Sequence, residues 1–385
     1  MAPHNTVTRR ALIIGGGIGG LATGIALRRI GWEVNVFERA AELREVGAGL
    51  GIWANAMRAL DRLGLAEAIR IARPPAPSGG IYTWRGQPVM TESHEALEQR
   101  VGEISVVLHR AELLDLLYGA LGAEYVSLGR LCARISQNET GVTAVFADGS
   151  QITGDLLIGA DGINSVVRSQ IIGDGAPIYA GYVAYRGVTQ FDPTRIIAGE
   201  YWGRGKRFGM APMSGDRVYW WATRNAPAGD RMHAAEAHAL LRTLFKEWAD
   251  PIPAIIEATD PEAVLQHDIA DRQPLERWSA GRVTLLGDAA HPTTPNLGQG
   301  ACQALEDAVA LADALAAHDD IAMALRDYER RRIPRTSRIV LQSRRIGQIG
   351  QWSNPLACSL RDSLLRNLFA PRQAAAIDPI VGYRI

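Results

Sequence analysis

The sequence predicts an α/β protein: a Rossmann-like domain assembled from separated stretches of chain, an inserted and mostly antiparallel sheet, and helices toward the C-terminal end. Three observations predict it. The chain opens on a strand, a glycine-rich turn, a helix and a second strand between Ala11 and Phe37. Two further apolar strands run into the acidic turns Asp161-Gly162 and Gly287-Asp288. Between those turns, from Pro177 to His267, Tyr, Trp and Arg become frequent and residues alternate with period two, as in a half-buried sheet.

The bulk properties set limits on function. At 385 residues the chain exceeds an ordinary single core, so two closely packed domains and room for a large ligand are expected. Lys plus Arg and Asp plus Glu both total 41, and the basic residues are scattered. This pattern does not suit a nucleic-acid or anionic-membrane surface; the expected partner is a small molecule, bound by a monomer or homodimer. Cys132, Cys302 and Cys358 stand far apart with no metal-ligand spacing, so neither a disulfide framework nor a metal site is expected. The start, MAPHNTVTRRALIIGGGIGG, puts two arginines before an apolar run as a signal peptide does, but its glycines and strand-turn-helix order account for it better. No run of about 18 apolar residues is present to form a membrane span, and a reduced, cytoplasmic protein is expected.

Taken in order, Ala11 to Ile14 reads as a buried strand, Gly15 to Gly20 as a turn, Leu21 to Ile30 as a helix and Val34 to Phe37 as a strand ending on Glu38. RPPAPSGG, from Arg73 to Gly80, is a breaker run leading out of this layer. A helix follows from Arg110 to Leu121, then strand, turn and strand over Val142–Phe146, Asp148-Gly149 and Gln151–Ile158. In the sheet region Ser214-Gly215-Asp216 separates two strands, and Tyr185-Arg186 sits on a third. Val283 to Leu286 is a further buried strand, succeeded by an alanine-rich helix from Gly298 to Ala317. Arg326 to Arg345 reads as long helices with a solvated basic face. The boundaries read as 1–75, 100–176 and 268–340 for the discontinuous first domain, 76–99 and 177–267 for the sheet domain, and 341–385 for a helical segment, whose tail from Ile346 to Ile385 is read as a pocket cap or a dimer contact.

The chemistry begins at Gly15-x-Gly17-x-x-Gly20. The first glycine permits a tight turn, the second lets backbone approach a pyrophosphate, and the third lets helix pack on strand. The helix N-terminus then attracts the anion. Glu38 ends the second strand about twenty residues on, where a carboxylate accepts from ribose hydroxyls and its charge disfavours a 2′-phosphate. Arg39 follows it and is grouped with the cofactor residues. This set binds a dinucleotide without choosing between NAD and FAD. In the late motif, a strand ending in Gly287-Asp288 offers a carboxylate to polyol hydroxyls, while Gly298-Gln299-Gly300 at a helix start offers N–H groups to an anionic ring edge.

Asp161-Gly162-x-x-Ser165-x-x-Arg168 and Gly287-Asp288-Ala289-Ala290-His291-Pro292, running into Pro295-Asn296-Leu297-Gly298-Gln299-Gly300, resemble the motifs of the group A flavin monooxygenases, the aromatic hydroxylase family. With the first fingerprint they match in order and spacing from about Ala11 to Tyr328. The resemblance implies an FAD-binding domain of the glutathione-reductase type. It also implies NADH or NADPH as a transient co-substrate, and hydroxylation of an aromatic or heteroaromatic ring by O2 through a flavin C4a-hydroperoxide. It assigns Asp288 to the ribitol, Pro295 to the pocket wall beside flavin C4a, Arg110 to flavin ribose and phosphate, and Asp161 to holding a cofactor-side arginine beside the nicotinamide route. It gives His291 no consistent proton-transfer role, and a packing role is favoured over a catalytic base.

An even-summed register across Ser214-Gly215-Asp216 puts Arg207, Gly209 and Ala211 on one face with Tyr219, Trp221 and Thr223. That face joins a cation, a phenol and an aromatic wall; a core or surface role for Arg207 is the competing reading. Gly203-Arg204-Gly205-Lys206-Arg207 with Tyr219 is similar to the FAD-dependent urate hydroxylases, in which a matching arginine and tyrosine contact the purine. Those enzymes carry an aspartate after Thr-Thr-Pro, whereas here Asn296 follows Thr293-Thr294-Pro295. Tyr185-Arg186 is a second candidate pair. The rival readings are an FAD-dependent epoxidase or reductase acting on an isoprenoid, and a non-catalytic flavin-binding redox protein. A halogenase is disfavoured because WxWxIP is absent, the nearest text being Tyr219-Trp220-Trp221-Ala222-Thr223.

Overall fold

The computed structural model describes residues 9–43, 48–71, 79–370 and 373–385. The breaker run from Arg73 to Ser78 lies outside the described residues, and its closing glycines begin the strand Gly79–Thr83. A parallel five-stranded sheet has the order Val283–Leu285, Leu156–Gly159, Arg10–Ile14, Glu33–Phe37, Val126–Ser127. Segments more than a hundred residues apart in sequence are thereby neighbours. Ala11 to Ile13, Leu156 to Ile158 and Val283 to Leu285 are fully buried, as expected of parallel strands covered on both faces.

The expected helix begins earlier than the sequence suggested, at Ile18, so Gly20 lies inside its first turn. A Cβ on Gly20 would stand 1.9 Å from the carbonyl oxygen of Gly15, and Gly15 itself turns at φ 109°. Helix and strand therefore close on each other through glycine alone. The expected strand Gln151–Ile158 is two strands. Gln151–Gly154 pairs with Val142–Phe146 in a separate three-stranded antiparallel sheet, and Leu156–Gly159 joins the parallel one. The carboxylate of Asp155, between them, accepts from the backbone N–H of Arg10 at 2.7 Å and fixes the change of direction.

The second sheet has seven strands, in the order Leu265–Asp271, Ile178–Gln190, Arg217–Asn225, Lys206–Met213, Gly199–Trp202, Gly79–Thr83, Pro88–Glu92. All its pairs are antiparallel except Gly199–Trp202 with Gly79–Thr83. One face packs on the helices Ala234–Phe245 and Ile252–Glu257 through Phe208, Trp220, Phe245 and Ile255. The other face looks toward the parallel sheet.

The basic region is one helix, Ile321–Gly350, and its arginines are not uniformly solvated. Arg332 is completely buried, with Nε donating to Asp307 at 2.6 Å and Nη1 to Glu306. Arg335 also donates to Glu306, at 2.7 Å from two nitrogens, and Arg344 pairs with Asp271 at 2.8 Å. The expectation of a solvated basic face fails because the neighbouring helix Gly300–Ala317 carries two buried acids that require cations. Asp307 Oδ2 further accepts from Gly287 N–H at 3.0 Å and lies 2.6 Å from His291 Nε2. Burial pushes the Asp307 carboxyl up, but His291 and Arg332 outweigh that and hold it at about 2.

Cys132, Cys302 and Cys358 are buried free thiols. Among the described residues no group is arranged to hold a metal ion, and no helix is long and apolar enough to cross a membrane.

Removing Arg332 should take from two buried carboxylates the cation they share, leaving Glu306 to Arg335 and Asp307 to His291. Arg332→Met is expected to lower unfolding stability by about 3–5 kcal/mol, read from urea denaturation at neutral pH. Because the native pKa of Asp307 is depressed below its unfolded value, its contribution is fully present above about pH 4 and is lost as pH falls toward about 2. Wild type and Asp307→Asn should accordingly converge in stability only in that acid window.

Candidate active site

The carboxyl ends of the parallel strands open into one cleft of about 1650 Å³. Drug-sized ligands occupy pockets on the order of 300–1,000 Å³, so a dinucleotide and a second molecule fit together here. Gly15, Gly17, Glu38, Arg39, Arg110, Asp161, Gly287, Asp288, Pro295, Gly298, Gly300, Arg207 and Tyr219 all line it. Gly20 does not line the cleft; it serves the helix-strand contact described above.

The cleft fits FAD on its own geometry. The helices Ile18–Arg29 and Gly300–Ala317 both start at its edge, and neither first turn is capped by a side chain. Two sets of orphan N–H groups are therefore available, one to a pyrophosphate and one to a flavin ring edge. A Cβ on Gly17 would meet nothing within 4 Å, which leaves the backbone open to close approach. Glu38 is pinned by the N–H groups of Gly16 at 2.7 Å and Ala40 at 2.9 Å, presenting its carboxylate beside the turn. Asp288 is exposed to the cleft, with its walls close by. That position pushes its carboxyl up, chiefly by burial, with His291 and Arg110 opposing.

Asp161 differs from the expected arginine holder. Its oxygens accept from Ser165 Oγ at 2.5 Å and from the N–H groups of Val166 at 2.7 Å and Val167 at 3.3 Å, so it fastens the start of the helix Val166–Ile171. The motif's arginine, Arg168, pairs instead with Asp174 and donates to the carbonyls of Ala289 at 3.0 Å and Ala290 at 2.9 Å. It thereby ties the second motif to the backbone of the third.

On the sheet side the register is the even-summed one, with Arg207 opposite Thr223, Gly209 opposite Trp221 and Ala211 opposite Tyr219. Gly209 leaves room for the Trp221 ring, which a Cβ would meet at 2.0 Å. Tyr219 packs on Gly49 of the strand Gly49–Ile52, joining the sheet to the cofactor side. Arg207 is 1% exposed and held on three sides. It donates to Asn296 Oδ1 at 2.8 Å, Glu200 Oε2 at 3.1 Å and Gln351 Oε1 at 3.2 Å. Asn296 also contacts Tyr182 and donates to Thr294 Oγ1 at 2.8 Å and the Ser343 carbonyl at 2.9 Å. An amide can both accept from Arg207 and donate to these oxygens, which a carboxylate at this position could not do.

Tyr185 and Arg186 point to opposite faces. Tyr185 is buried in the sheet core and accepts from Arg224 at 3.0 Å, whereas Arg186 lines the cleft without a hydrogen bond or ion pair among the described residues. His291 is packed 5.2 Å from Trp278 and engaged with Asp307, in keeping with a packing role.

Sequence reading missed Glu200, which also accepts from Trp202 Nε1 at 2.6 Å and Trp221 Nε1 at 3.0 Å. Its signal was present in the i, i+2 spacing of Glu200 and Trp202 on one strand. It also missed Glu306-Asp307, two acids inside an alanine-rich helix. Gln351 gave no signal at all.

Asp288→Ala should weaken FAD binding about 10- to 100-fold, the equivalent of ~1.5–3 kcal/mol for hydrogen bonds to a charged group. The flavin-to-protein absorbance ratio of the purified variant measures it; an unchanged ratio would remove Asp288 from the cofactor site.

Comparison with known proteins agrees with this geometry. A family model described as FAD binding domain matches residues 8–343. The chain is 42% identical over 363 residues to an aurachin C monooxygenase/isomerase of Stigmatella aurantiaca, covering 94% of each. It is 36% identical over 342 residues to an FAD-dependent urate hydroxylase of Klebsiella pneumoniae, covering 87% of this chain and 89% of that one. The crystal structure of Klebsiella pneumoniae HpxO complexed with FAD and uric acid superposes with a TM-score of 0.91 at 32% identity, covering 97% of this chain and 96% of that one. With the match extending over most of its length, the chain belongs to the FAD-binding-domain family.

Proposed function

We propose that this flavoprotein monooxygenase hydroxylates an electron-rich aromatic or heteroaromatic ring seated against Arg207 and Tyr219, using FAD, NADH or NADPH, and O2. One observation carries the reading: a single cleft runs from the glycine cradle, past Pro295 and Gly298, to the Arg207–Tyr219 face, so a ring bound there shares a cavity with the flavin end of the cofactor. When bound, FAD supplies the electron transfer from nicotinamide and the activation of oxygen. The chain's own residues bind the ring, orient it and keep water out.

Arg207 is the natural partner for a ring oxygen, because hydrogen bonding to a guanidinium favours the phenolate-like form that an electrophilic oxygen attacks. Glu200 already balances its charge, so the ring oxygen need not be a full anion. The Tyr219 hydroxyl is pushed up by burial and stays a neutral donor and acceptor at neutral pH. Gln351 Nε2 is buried without an acceptor among the described residues, leaving one further donor beside Arg207 and Thr223. Cytoplasmic location and a monomeric or homodimeric state complete the reading.

Two measurements test it. A screen of phenols and hydroxylated heteroaromatics by stimulated NAD(P)H oxidation should yield a product heavier by one oxygen atom; peroxide alone with every ring would reject hydroxylation. Arg207→Met should raise KM for the ring about 10- to 100-fold, as a lost charged hydrogen bond predicts, with FAD content intact. Equal loss of FAD would mean that Arg207 is structural.

A further inference from the structure

The cleft continues beyond the Arg207–Tyr219 face. Its continuation is walled by Ile81 and Met90 from the sheet edge, Ile349 from the long helix, and Leu365, Phe369 and Ile377 from the C-terminal helices. None of these side chains can donate a hydrogen bond, and only the weakly accepting Met90 sulfur can accept one; Glu92, Ser93, His94 and Arg361 line the same cleft. The packing of the elements sets this wall beside the polar cluster. Gly347 and Gly350 bring the long helix against Asn296 and Arg207, where a Cβ would stand 2.5 and 3.1 Å from those side chains, so Ile346 and Ile349 stand next to the ring pocket. Leu365–Phe369 packs on Pro88–Glu92 and carries the same wall outward.

At the rim, Leu364 and Phe369 line the cleft while 42% and 50% exposed. Leu364 also belongs to a row at four-residue spacing, Trp352, Leu356, Leu360, Leu364 and Leu368, each 40% exposed or more. Scattered apolar residues on a surface need no explanation, but a row continuous with a cavity wall does. A bare ring held at Arg207 would leave this hydrocarbon wall facing water, at a cost proportional to its area.

We propose that the ring substrate carries a long hydrocarbon chain, alkyl or prenyl, which lies along this wall with its free end at the Leu364–Phe369 rim. The ring end of the assignment rests on the hydroxylase reading above; the chain end rests on the wall alone. Oxygen transfer to the ring leaves the chain unchanged, so product and substrate share the same anchor. The enzyme therefore acts after a reaction that attaches the hydrocarbon to the ring.

The test is isothermal titration calorimetry of the oxidised FAD holoenzyme with 4-alkylphenols from methyl to decyl, kept below their micellar concentrations, together with product analysis in the presence of NAD(P)H. Dissociation constants should fall about fourfold per added methylene over the first several carbons, the fold-change equivalent to ~0.8 kcal/mol per buried CH2. Phe369→Asp and Ile349→Asn should flatten that slope while the proteins retain FAD. A slope near zero, or no binding by any member of the series, overturns the proposal. So does an unchanged slope in both variants accompanied by conversion of a dimer to monomer, which would assign these residues to a subunit interface. Hydroxylation of short phenols without chain-length dependence would remove the chain site and leave the hydroxylase reading standing. Length-dependent binding without oxygenated product would do the reverse.

Discussion

Glu306 and Asp307 lie side by side in the interior, and two adjacent buried carboxylates would not both remain ionised without strong compensation. Arg332 supplies it, itself wholly buried and donating to both, with Arg335 closing on Glu306 from the other side. The consequence reaches the cleft directly. Asp307 accepts from the backbone of Gly287, so the turn that aims Asp288 is set by the same ion cluster that fastens the long helix to Gly300–Ala317. Asn55 donates to Glu306 at 2.6 Å and brings in the helix Ala54–Arg62. The cofactor edge is thus positioned by charges that do not line the cleft.

The same logic recurs at the other end. Arg207 is immobilised by Glu200, Gln351 and Asn296, contributed by a sheet strand, the end of the long helix and the turn after Pro295. Each partner is itself engaged, Glu200 by two tryptophan N–H groups and Asn296 by Thr294 and Ser343. Such a network costs side-chain freedom before the ligand arrives rather than during binding, which is how a site keeps its geometry fixed.

Much of this was legible beforehand where a local rule operates. The glycine fingerprint, the acidic strand ends and the hairpin register each follow from short-range geometry, and the register placed Arg207, Tyr219 and Trp221 on one face from the position of the Ser214-Gly215-Asp216 turn. The strand predicted over Gln151–Ile158 broke because Asp155 answers to Arg10, a residue 145 positions away that no local pattern reveals. The arginines of the long helix were misread for a related reason. A basic helix looks solvated until its acidic counterpart is found, and Glu306-Asp307 hides in an alanine-rich helix whose burial only the tertiary structure establishes. The arginine partner expected of Asp161 is replaced by its own successors, Ser165 and Val166, although the residue lines the cleft as expected.

The order of strands in the parallel sheet has a further consequence for how the protein comes into being. Val283–Leu285 pairs beside Leu156–Gly159, which pairs beside Arg10–Ile14, while the whole Ile178–Asp271 region is threaded between the last two segments in sequence. During synthesis the amino-terminal fingerprint emerges first, yet its sheet stays one edge short until residues near 287 have left the ribosome. Such long-range closure slows folding and prolongs exposure of the strand edge formed by Leu156–Gly159. Until the final strand docks, that open edge is the place where one nascent chain can pair with another.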